Sequence, residues 1–235
     1  MTYVFSGTGN SQWVANRLQG LVDDDAKVYG MVFPVYAWGI PKIVEEYIQN
    51  HLQDILKADY VYAIMTCGDD IGHADEVLSK QLEGRLDAVF SVHMPNTYVC
   101  LPGFDVDKAE VAEAKVKETI QRLPTIAESI NRRERRTEVT RGKWAWLKTQ
   151  VLRPLFNKFL INDKYFYTNR YCSHCKRCVR GCPLNNITMD EDGKVGWKHE
   201  HCTMCLRCYH RCPNNAVQFG KFTKKKGQKI HDFDR

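Results

Sequence analysis

Two stretches, CSHCKRCVRGCP at residues 172–183 and CTMCLRCYHRCP at residues 202–213, hold eight of the ten cysteines of this chain. Both follow the spacing C-x2-C-x2-C-x3-C-P, and the second is the first displaced by thirty residues. The correspondence continues past the cysteines, from Asn185 to Asn215 and from Ile187 to Val217. The two stretches are therefore an internal duplication, and we call them the first and second cysteine runs.

The spacing indicates iron-sulfur chemistry. Three thiolates separated by two residues each can wrap one corner of an iron-sulfur cube, and in the bacterial ferredoxin pattern the fourth cysteine binds the other cluster. We therefore predict two [4Fe-4S] clusters with crossed ligands. The ligands are predicted to be Cys172, Cys175, Cys178 and Cys212 for the first cluster, and Cys202, Cys205, Cys208 and Cys182 for the second. Between the runs, residues 187–197 predict a hairpin that turns at Asp192-Gly193.

Three other uses of these cysteines compete. A zinc site takes four ligands, usually in two C-x2-C pairs, and has no use for a third cysteine at the same interval. Disulfides need an oxidising compartment. The apparent strand Thr2–Phe5 leaves no room for a signal peptide, so we expect a reducing, cytoplasmic setting. A ligand set that has lost its cluster stays open, although no ligand position is missing.

The charge is divided unevenly along the chain. The net charge of +6 combines 10 Lys or Arg against 19 Asp or Glu in residues 1–130 with 24 against 9 in residues 131–235. The two parts therefore carry net charges of -9 and +15, and each can steer a different partner. We expect redox partner proteins, acidic ones at the basic part. Nucleic acid is the less favoured partner of the same charge, and the sequence does not indicate an oligomeric state.

A second informative stretch is Ser6-Gly7-Thr8-Gly9-Asn10-Ser11, between an apolar strand pattern and a helical one. A strand that turns through small residues into a helix points main-chain N–H groups at one spot, which suits a phosphate. A Rossmann fingerprint would require glycine where Gln12 stands. Taken alone, the stretch is as compatible with ordinary turn chemistry as with phosphate binding.

Strand and helix patterns then alternate. Predicted strands cover 29–35, 60–65 and 88–92; predicted helices cover 41–51 and 73–82, with a long helical pattern at 106–134 that is interrupted at Pro124. This order predicts an α/β domain with a parallel sheet covered on both faces. Ligands of such sheets lie beyond the carboxyl ends of the strands, where the Gly-rich and aromatic loops fall.

On these motifs the chain resembles the fused flavodoxin-ferredoxin proteins of anaerobic bacteria and archaea. The SGTGNS loop looks like the FMN phosphate loop of flavodoxins, and FPVYAWGIP, TCGDD, MPN and the two cysteine runs follow it in order. The resemblance spans nearly the full length. It implies a flavodoxin-like doubly wound parallel sheet that binds FMN, followed by a small α+β ferredoxin-like domain with two clusters.

The resemblance also implies roles for individual residues. The FMN phosphate would be held by Ser6, Thr8, Gly9, Asn10 and Ser11. The first loop against the isoalloxazine ring would be Pro34, Val35, Tyr36, Ala37, Trp38 and Gly39, with Tyr36 or Trp38 stacking on the ring. The second loop would include Thr66, Cys67, Gly68, Asp69, Asp70 and Gly72, and a third contact would come from Asn96 and Tyr98. The aromatic pair is also compatible with core packing, and for the Cys67 and Cys100 thiols we favour plain burial. We expect Asp69 and Asp70 to lower the flavin potential.

One departure from the family concerns the sheet. Only about twenty residues separate the phosphate loop from the strand near Tyr29, and the helix uses most of them. The edge strand that stands second in the chain, in the spatial order 2-1-3-4-5, is therefore predicted to be shortened or absent.

We divide the chain into an FMN-binding domain at 1–130, a basic amphipathic connector at 131–165, a two-cluster domain at 166–222 and a basic tail at 223–235. The connector is compatible with a membrane surface, but we expect it to pack between the domains, because domains that exchange electrons need a fixed interface. The Lys224-Lys225-Lys226 run is expected to be a solvated end.

These observations predict an electron-transfer protein that passes electrons between FMN and two [4Fe-4S] clusters and converts two-electron into one-electron steps. No catalytic residue is assigned. One alternative is an FMN-dependent reductase of a small molecule with the clusters as internal electron supply, for which the available acids are Tyr36, Tyr98, His73 and His93. Another is a redox or oxygen sensor that binds nucleic acid through its basic part.

Overall fold

The computed structural model describes residues 1–200 and 202–229. Its first part is a parallel sheet with the spatial order β1-β2-β3-β4-β5. The strands are β1 Thr2–Val4, β2 Val28–Pro34, β3 Tyr60–Cys67, β4 Ala88–His93 and β5 Arg136–Glu138. The helices between them are α1 Asn10–Leu18, α2 Lys42–Leu56, α3 Ala74–Gln81 and α4 Ala109–Asn131. The predicted flavodoxin-like α/β class is confirmed.

Helices cover both faces of the sheet because its central strands are buried at almost every position. Met31 and Phe33 of β2 point to one face and pack in the core that holds the buried side of α2 and α3. Val32 points to the opposite face, into the core that holds α1 and α4. Since successive side chains of a strand alternate between faces, the uninterrupted run VYGMVFP supplies both cores at once.

The sheet differs from the flavodoxin strand order 2-1-3-4-5 at both edges: one edge strand is missing from the described part of the chain and a different one is added at the opposite edge. Within the described residues no strand pairs with the outer side of β1, so the expected loss of that edge strand is confirmed. At the other edge, β5 pairs with β4 through Arg136 beside Ala88 and Glu138 beside Phe90. This strand lies in the stretch assigned to the connector. Its charged side chains hide it from a hydrophobicity pattern, and charged residues are typical of an exposed edge. Pro124 also lies inside a continuous α4 and does not interrupt it.

The second part holds the cysteine runs and two small antiparallel sheets. The strands β6 Phe166–Thr168 and β9 Val217–Phe219 pair with each other, as do β7 Ile187–Met189 and β8 Val195–Trp197. The β7-β8 hairpin turns through Gly193 at φ +80°, so the hairpin predicted at Asp192-Gly193 is confirmed. Two short helices, α7 Arg177–Gly181 and α8 Arg207–His210, occupy equivalent places in the two cysteine runs. This is the predicted small ferredoxin-like domain.

The two parts share a core at the loop after β4. Val99 and Cys100 of that loop are buried among Trp197, Tyr209 and Phe219 of the second part. His210 Nε2 lies 2.7 Å from the Thr97 carbonyl oxygen, to which it donates a hydrogen bond. Burial lowers the pKa of His210 to about 4, so the imidazole is neutral at ordinary pH.

A lysine of the tail also binds the loop after β4 and so joins the two parts of the chain; we call this contact region the junction. Lys226 Nζ donates to the carbonyl oxygens of Val99, Leu101 and Phe104 at 2.8, 2.5 and 2.5 Å. Lys224 and Lys225 are exposed as expected. The expectation of a solvated end is therefore wrong for Lys226, because three carbonyl groups converge on its ammonium. Residues 230–235 of the predicted tail lie outside the described residues.

Replacing Lys226 by Ala is expected to lower the free energy of unfolding by about 1–3 kcal/mol, because three carbonyl groups lose a charged donor. The matched control is Lys225→Ala, for which we expect a change within about 0.5 kcal/mol. Urea unfolding of the cluster-loaded protein, followed by tryptophan fluorescence, measures both. Equal midpoints for the two variants would contradict the role given to Lys226.

Candidate redox site

A cavity of about 850 Å³ lies at the carboxyl ends of the strands, between the first part, the connector and the second cysteine run. Most of the residues predicted to contact FMN line it; Gly9, Gly39 and Gly72 are not among its lining residues. The predicted residues in the lining are Ser6, Thr8, Asn10, Ser11, Pro34, Val35, Tyr36, Ala37, Trp38, Thr66, Cys67, Gly68, Asp69, Asp70, Asn96 and Tyr98. Cys202 and Cys205 line it from the other side.

The predicted phosphate loop is held by two hydrogen bonds, and several of its N–H donors have no partner among the described residues. Gly9, at φ +109°, precedes the first residue of α1 and donates from its N–H to Ser6 Oγ at 3.1 Å. Ser11 Oγ shares a 2.8 Å hydrogen bond with Thr66 Oγ1, which ties the start of α1 to the end of β3. The N–H groups of Thr8, Asn10 and Ser11 donate to no other described residue. The first N–H groups of a helix are available to an anion in such a loop.

Asn10 adds a second indication of a ligand. Its Nδ2 donates to the Pro95 carbonyl oxygen at 2.9 Å. Its Oδ1 is buried, and no described residue hydrogen-bonds to it. Because a buried acceptor without a donor costs about 1–3 kcal/mol, a hydroxyl or N–H of a bound molecule would stabilise it.

The first predicted flavin loop is a strained two-residue turn. Tyr36 and Gly39 exchange hydrogen bonds of 3.0 and 3.1 Å, and the residues between them, Ala37 and Trp38, lie at φ +45° and +58°. Such turns normally use asparagine and glycine, and each residue held there costs about 1–3 kcal/mol, which the surroundings must offset. The connector does so, since Thr149 Oγ1 donates to the Trp38 carbonyl oxygen at 3.1 Å.

The connector also reaches the second predicted flavin loop. Lys148 Nζ lies 2.5 Å from Asp70 Oδ2 and 5.5 Å from the centre of the Trp38 ring. Asp69 points outward, with its side chain 84% exposed and 3.4 Å from Lys115 Nζ. The charge of Asp70 is thus balanced by a neighbour that sequence reasoning did not assign to the site.

The remaining predicted contacts are less available to a ligand. Asn96 uses its Oδ1 to accept from the Tyr98 N–H at 3.2 Å and its Nδ2 to donate to the Asp105 carbonyl oxygen at 3.3 Å. Burial raises the pKa of the Cys67 thiol to about 12, with Asp70 and Asp69 adding to the effect. Burial also raises the pKa of the Cys100 thiol to about 12. Both thiols are buried, in line with the expectation that they are core groups.

The cysteine runs repeat the same backbone shape. Left-handed φ angles recur thirty residues apart, at His174 and Met204, at Lys176 and Leu206, and at Asn185 and Asn215. The sulfur of the fourth cysteine accepts from the N–H four residues later in both runs, at 3.3 Å for Cys182 and 3.1 Å for Cys212.

The thiols of the two runs influence one another's pKa values, which agrees with the predicted crossed assignment. Burial raises the pKa of Cys178, and the nearby thiols of Cys212 and Cys172 raise it further. Burial raises the pKa of Cys202 to about 12, and Cys205 and Cys182 add to the effect. Cys212 of the second run thus lies beside the first, and Cys182 of the first beside the second.

Among residues 1–200 and 202–229, no three Cys, His, Asp or Glu side chains converge closely enough to hold one metal ion. A four-iron cube presents a different iron to each thiolate, so its ligands need not meet at one point.

The second run touches the predicted phosphate loop directly. A Cβ atom on Gly7 would lie 2.7 Å from the Cys205 carbonyl oxygen, 2.9 Å from Cys205 Cβ and 2.5 Å from Tyr36 Oη. Burial raises the pKa of Tyr36 well above its ordinary value, and the Cys205 thiol contributes. Arg207, also packed here, has its Nε buried without a hydrogen bond to a described residue. The predicted flavin site and a predicted cluster ligand are therefore in van der Waals contact.

Comparison with known proteins identifies the second part. Residues 164–213 match the 4Fe-4S dicluster domain family, and this range includes all eight cysteines of the runs. No curated protein and no solved structure matches the chain. The match supports 4Fe-4S binding and iron-sulfur electron transfer by the second part. In the described part of the chain no helix is long and apolar enough to cross a membrane.

Crossed ligation can be tested by comparing two double variants. If Cys182 serves the cluster of the second run, Cys182→Ala/Cys202→Ala damages one cluster and should retain about four of about eight irons, whereas Cys182→Ala/Cys172→Ala damages both. Anaerobic iron and sulfide analysis with visible absorbance gives the counts. Cys100→Ala is the control and should keep full iron. Greater iron retention by the second double variant would contradict the crossed assignment.

Proposed function

We propose that this chain is an electron-transfer flavoprotein that binds FMN in the cavity and two [4Fe-4S] clusters at the cysteine runs, like the flavodoxin-ferredoxin fusions that its motifs resemble. The observation that carries the proposal is the cavity itself. Its walls combine the three predicted FMN loops with Cys202 and Cys205. We place this function in a reducing cytoplasm.

The residues present fit FMN. The cavity is within the range of about 300–1,000 Å³ usual for cofactor sites. The free N–H groups at the start of α1 would hold the phosphate, and Asn10 Oδ1 would accept from a ligand hydroxyl. Tyr36 and Trp38 line the space that the ring would occupy.

When bound, FMN accepts electrons in pairs and releases them singly, and each cluster carries one electron, so the combination joins two-electron to one-electron chemistry. The chain's contribution is position and environment. Gly7 permits close approach of the second run, and the connector covers the flavin loops. Because Lys148 neutralises Asp70 and Asp69 is largely in water, we expect these carboxylates to lower the flavin potential less than two unpaired charges would.

The burial of the two runs differs and suggests an order of transfer. Cys205 contacts the phosphate loop, whereas its equivalent Cys175 is exposed, together with His174, Lys176 and Arg177. We infer that the second run would hold its cluster on the flavin side and that the first run would hold its cluster towards the outside partner. The exposed cations there suit an acidic protein.

A reductase of a small molecule is the second candidate, because the cavity extends beyond the FMN loops. Its outer part is lined by Asn157, Asn162 and His199, and His199 Nδ1 lies 2.7 Å from Oδ1 of the buried Asp163. Of the acids considered from sequence, Tyr36 and Tyr98 line the cavity. His73 instead pairs with Glu76 at 3.0 Å, and His93 Nε2 donates to the Asp69 carbonyl oxygen at 2.9 Å.

The proposal is tested by quantifying cofactors in anaerobically purified protein, where about eight irons and one FMN per chain are expected. Stopped-flow oxidation then separates the two candidates. A carrier reacts rapidly with protein acceptors and shows no saturable turnover of small ones. Zinc in place of iron, or a chain that takes up no FMN, would overturn the proposal.

Asn10→Asp is expected to weaken FMN binding at least about tenfold, because a carboxylate beside the phosphate repels it. Asn16→Asp, exposed on the same helix, adds the same charge away from the loop and should leave binding unchanged. Titration of FMN into flavin-free protein, followed by quenching of FMN fluorescence, measures both affinities. Equal losses would argue against phosphate binding at Asn10.

Lys176→Glu/Arg177→Glu should slow oxidation of the reduced protein by ferricyanide and accelerate oxidation by hexaammineruthenium(III). The expected change is about tenfold at low ionic strength, because the probes have opposite charges. The control is Lys57→Glu/Lys80→Glu on exposed residues of the first part. Stopped-flow bleaching of the clusters gives the rates. If both double variants respond alike, electrons do not leave near Cys175.

A further inference from the structure

The connector helix, residues 145–159, exposes large apolar side chains to solvent and directs two polar side chains towards the rest of the protein. It consists of α5 Ala145–Leu147, a π-helical segment Lys148–Leu152 and α6 Arg153–Phe159. A surface helix normally buries its apolar stripe and exposes its polar one. Here Thr149 and Arg153 face inward together with Ala145 and Phe156. Thr149 is 4% exposed, and Arg153 Nη2 donates to the Ile40 carbonyl oxygen and to Glu45, both at 2.8 Å.

Large apolar side chains are exposed along the whole length of the helix, about 22 Å, with Gln150 and Asn157 between them. Large apolar side chains stand in solvent from the residue before the helix to its last residue. They are Trp144 (76% exposed), Trp146 (63%), Leu147 (39%), Val151 (38%), Leu152 (41%), Leu155 (50%) and Phe159 (61%). Contiguous apolar surface of this kind marks an interaction site. We call it the apolar ridge.

The charge around the apolar ridge has one sign. Between Val139 and Asn162 there are five Lys or Arg and no Asp or Glu. Arg141, Lys148 and Arg153 are neutralised by Asp75, Asp70 and Glu45, which leaves Lys143 and Lys158 exposed near the two ends. The apolar ridge should therefore bind most strongly to a surface that carries negative charge.

We propose that the apolar ridge docks this protein on an anionic phospholipid surface. Tryptophans prefer the headgroup level of a bilayer, and a helix that lies in this plane combines Trp, Leu and Phe with flanking lysines. The side chains at both ends of the helix are highly exposed, so the apolar ridge projects from the protein along its full length. A flat surface such as a bilayer can contact the whole ridge at once. If a second copy of the chain covered the ridge, the exposed lysines of the two copies would lie close together and repel each other.

The contacts of the inward side make this docking specific in orientation. Thr149 and Arg153 hold the helix to the strained turn and to α2, so the ridge cannot roll without breaking them. Membrane binding would therefore present a fixed face of the protein, the one next to the candidate redox site. Docking of the apolar ridge does not require FMN.

Co-sedimentation of the cluster-loaded protein with vesicles tests the proposal. We expect binding to equimolar phosphatidylcholine-phosphatidylglycerol vesicles and much weaker binding to phosphatidylcholine alone. Trp144→Ala/Trp146→Ala should reduce the partition coefficient about tenfold for each tryptophan. Lys143→Gln/Lys158→Gln should reduce it about fivefold for each lysine.

The matched control is Val111→Ala/Ile120→Ala, which removes apolar groups that are 46% and 41% exposed on α4. It should bind like the wild type, and unchanged cluster absorbance in every variant shows that the fold is intact. Absence of binding to anionic vesicles would overturn the proposal. Dimerisation seen by light scattering without vesicle binding, and abolished by the tryptophan variant, would assign the ridge to a second copy instead.

Discussion

The contact of Gly7 with Cys205 and Tyr36 is the constraint on which the arrangement of this molecule depends. No side chain fits at position 7, because the backbone of the second cysteine run occupies the place of its Cβ. A methyl group there would push apart the predicted phosphate loop and the second cysteine run. Gly7 is thus a point where the two parts of the chain meet, and glycine is required there by this contact, since its φ is not left-handed.

The connector helix maintains this arrangement from the opposite side of the cavity. Its π-helical segment places Thr149 between the Trp38 carbonyl oxygen and the His73 N–H, at 3.1 and 2.9 Å. Single turns of π-helix are rare and often lie at functional sites. Here the irregular turn lets one helix stabilise two loops that follow different strands. The polar inward side is a consequence, since loops offer carbonyl groups and carboxylates where a helix or sheet would offer apolar side chains.

The sequence was sufficient for the fold class because its signals are local. Nearby structure is determined by the apolar runs of β2 and β3, by the cysteine spacing and by Asp192-Gly193. The short gap between the SGTGNS loop and Val28 predicted the missing edge strand. It was not sufficient where a residue's role is set by a distant partner. Arg136–Glu138 forms a strand only because β4 offers an open edge, and Lys226 is ordered only by carbonyl groups about 125 residues away. The same holds for Lys148 beside Asp70. The assignment of individual FMN and cluster ligands remains a prediction.

The junction closed by Lys226 also bears on how the protein forms during synthesis. Its partner Val99 precedes it by 127 residues, so the ribosome has added both cysteine runs before the lysine is available. Contacts between residues so far apart in sequence form slowly, because a long loop must close before any stabilisation is gained. The sheet can therefore fold early, while the loop after β4 waits in solution with Val99 and Cys100 uncovered. Docking of the two parts is then a late step, which follows the synthesis of both cysteine runs.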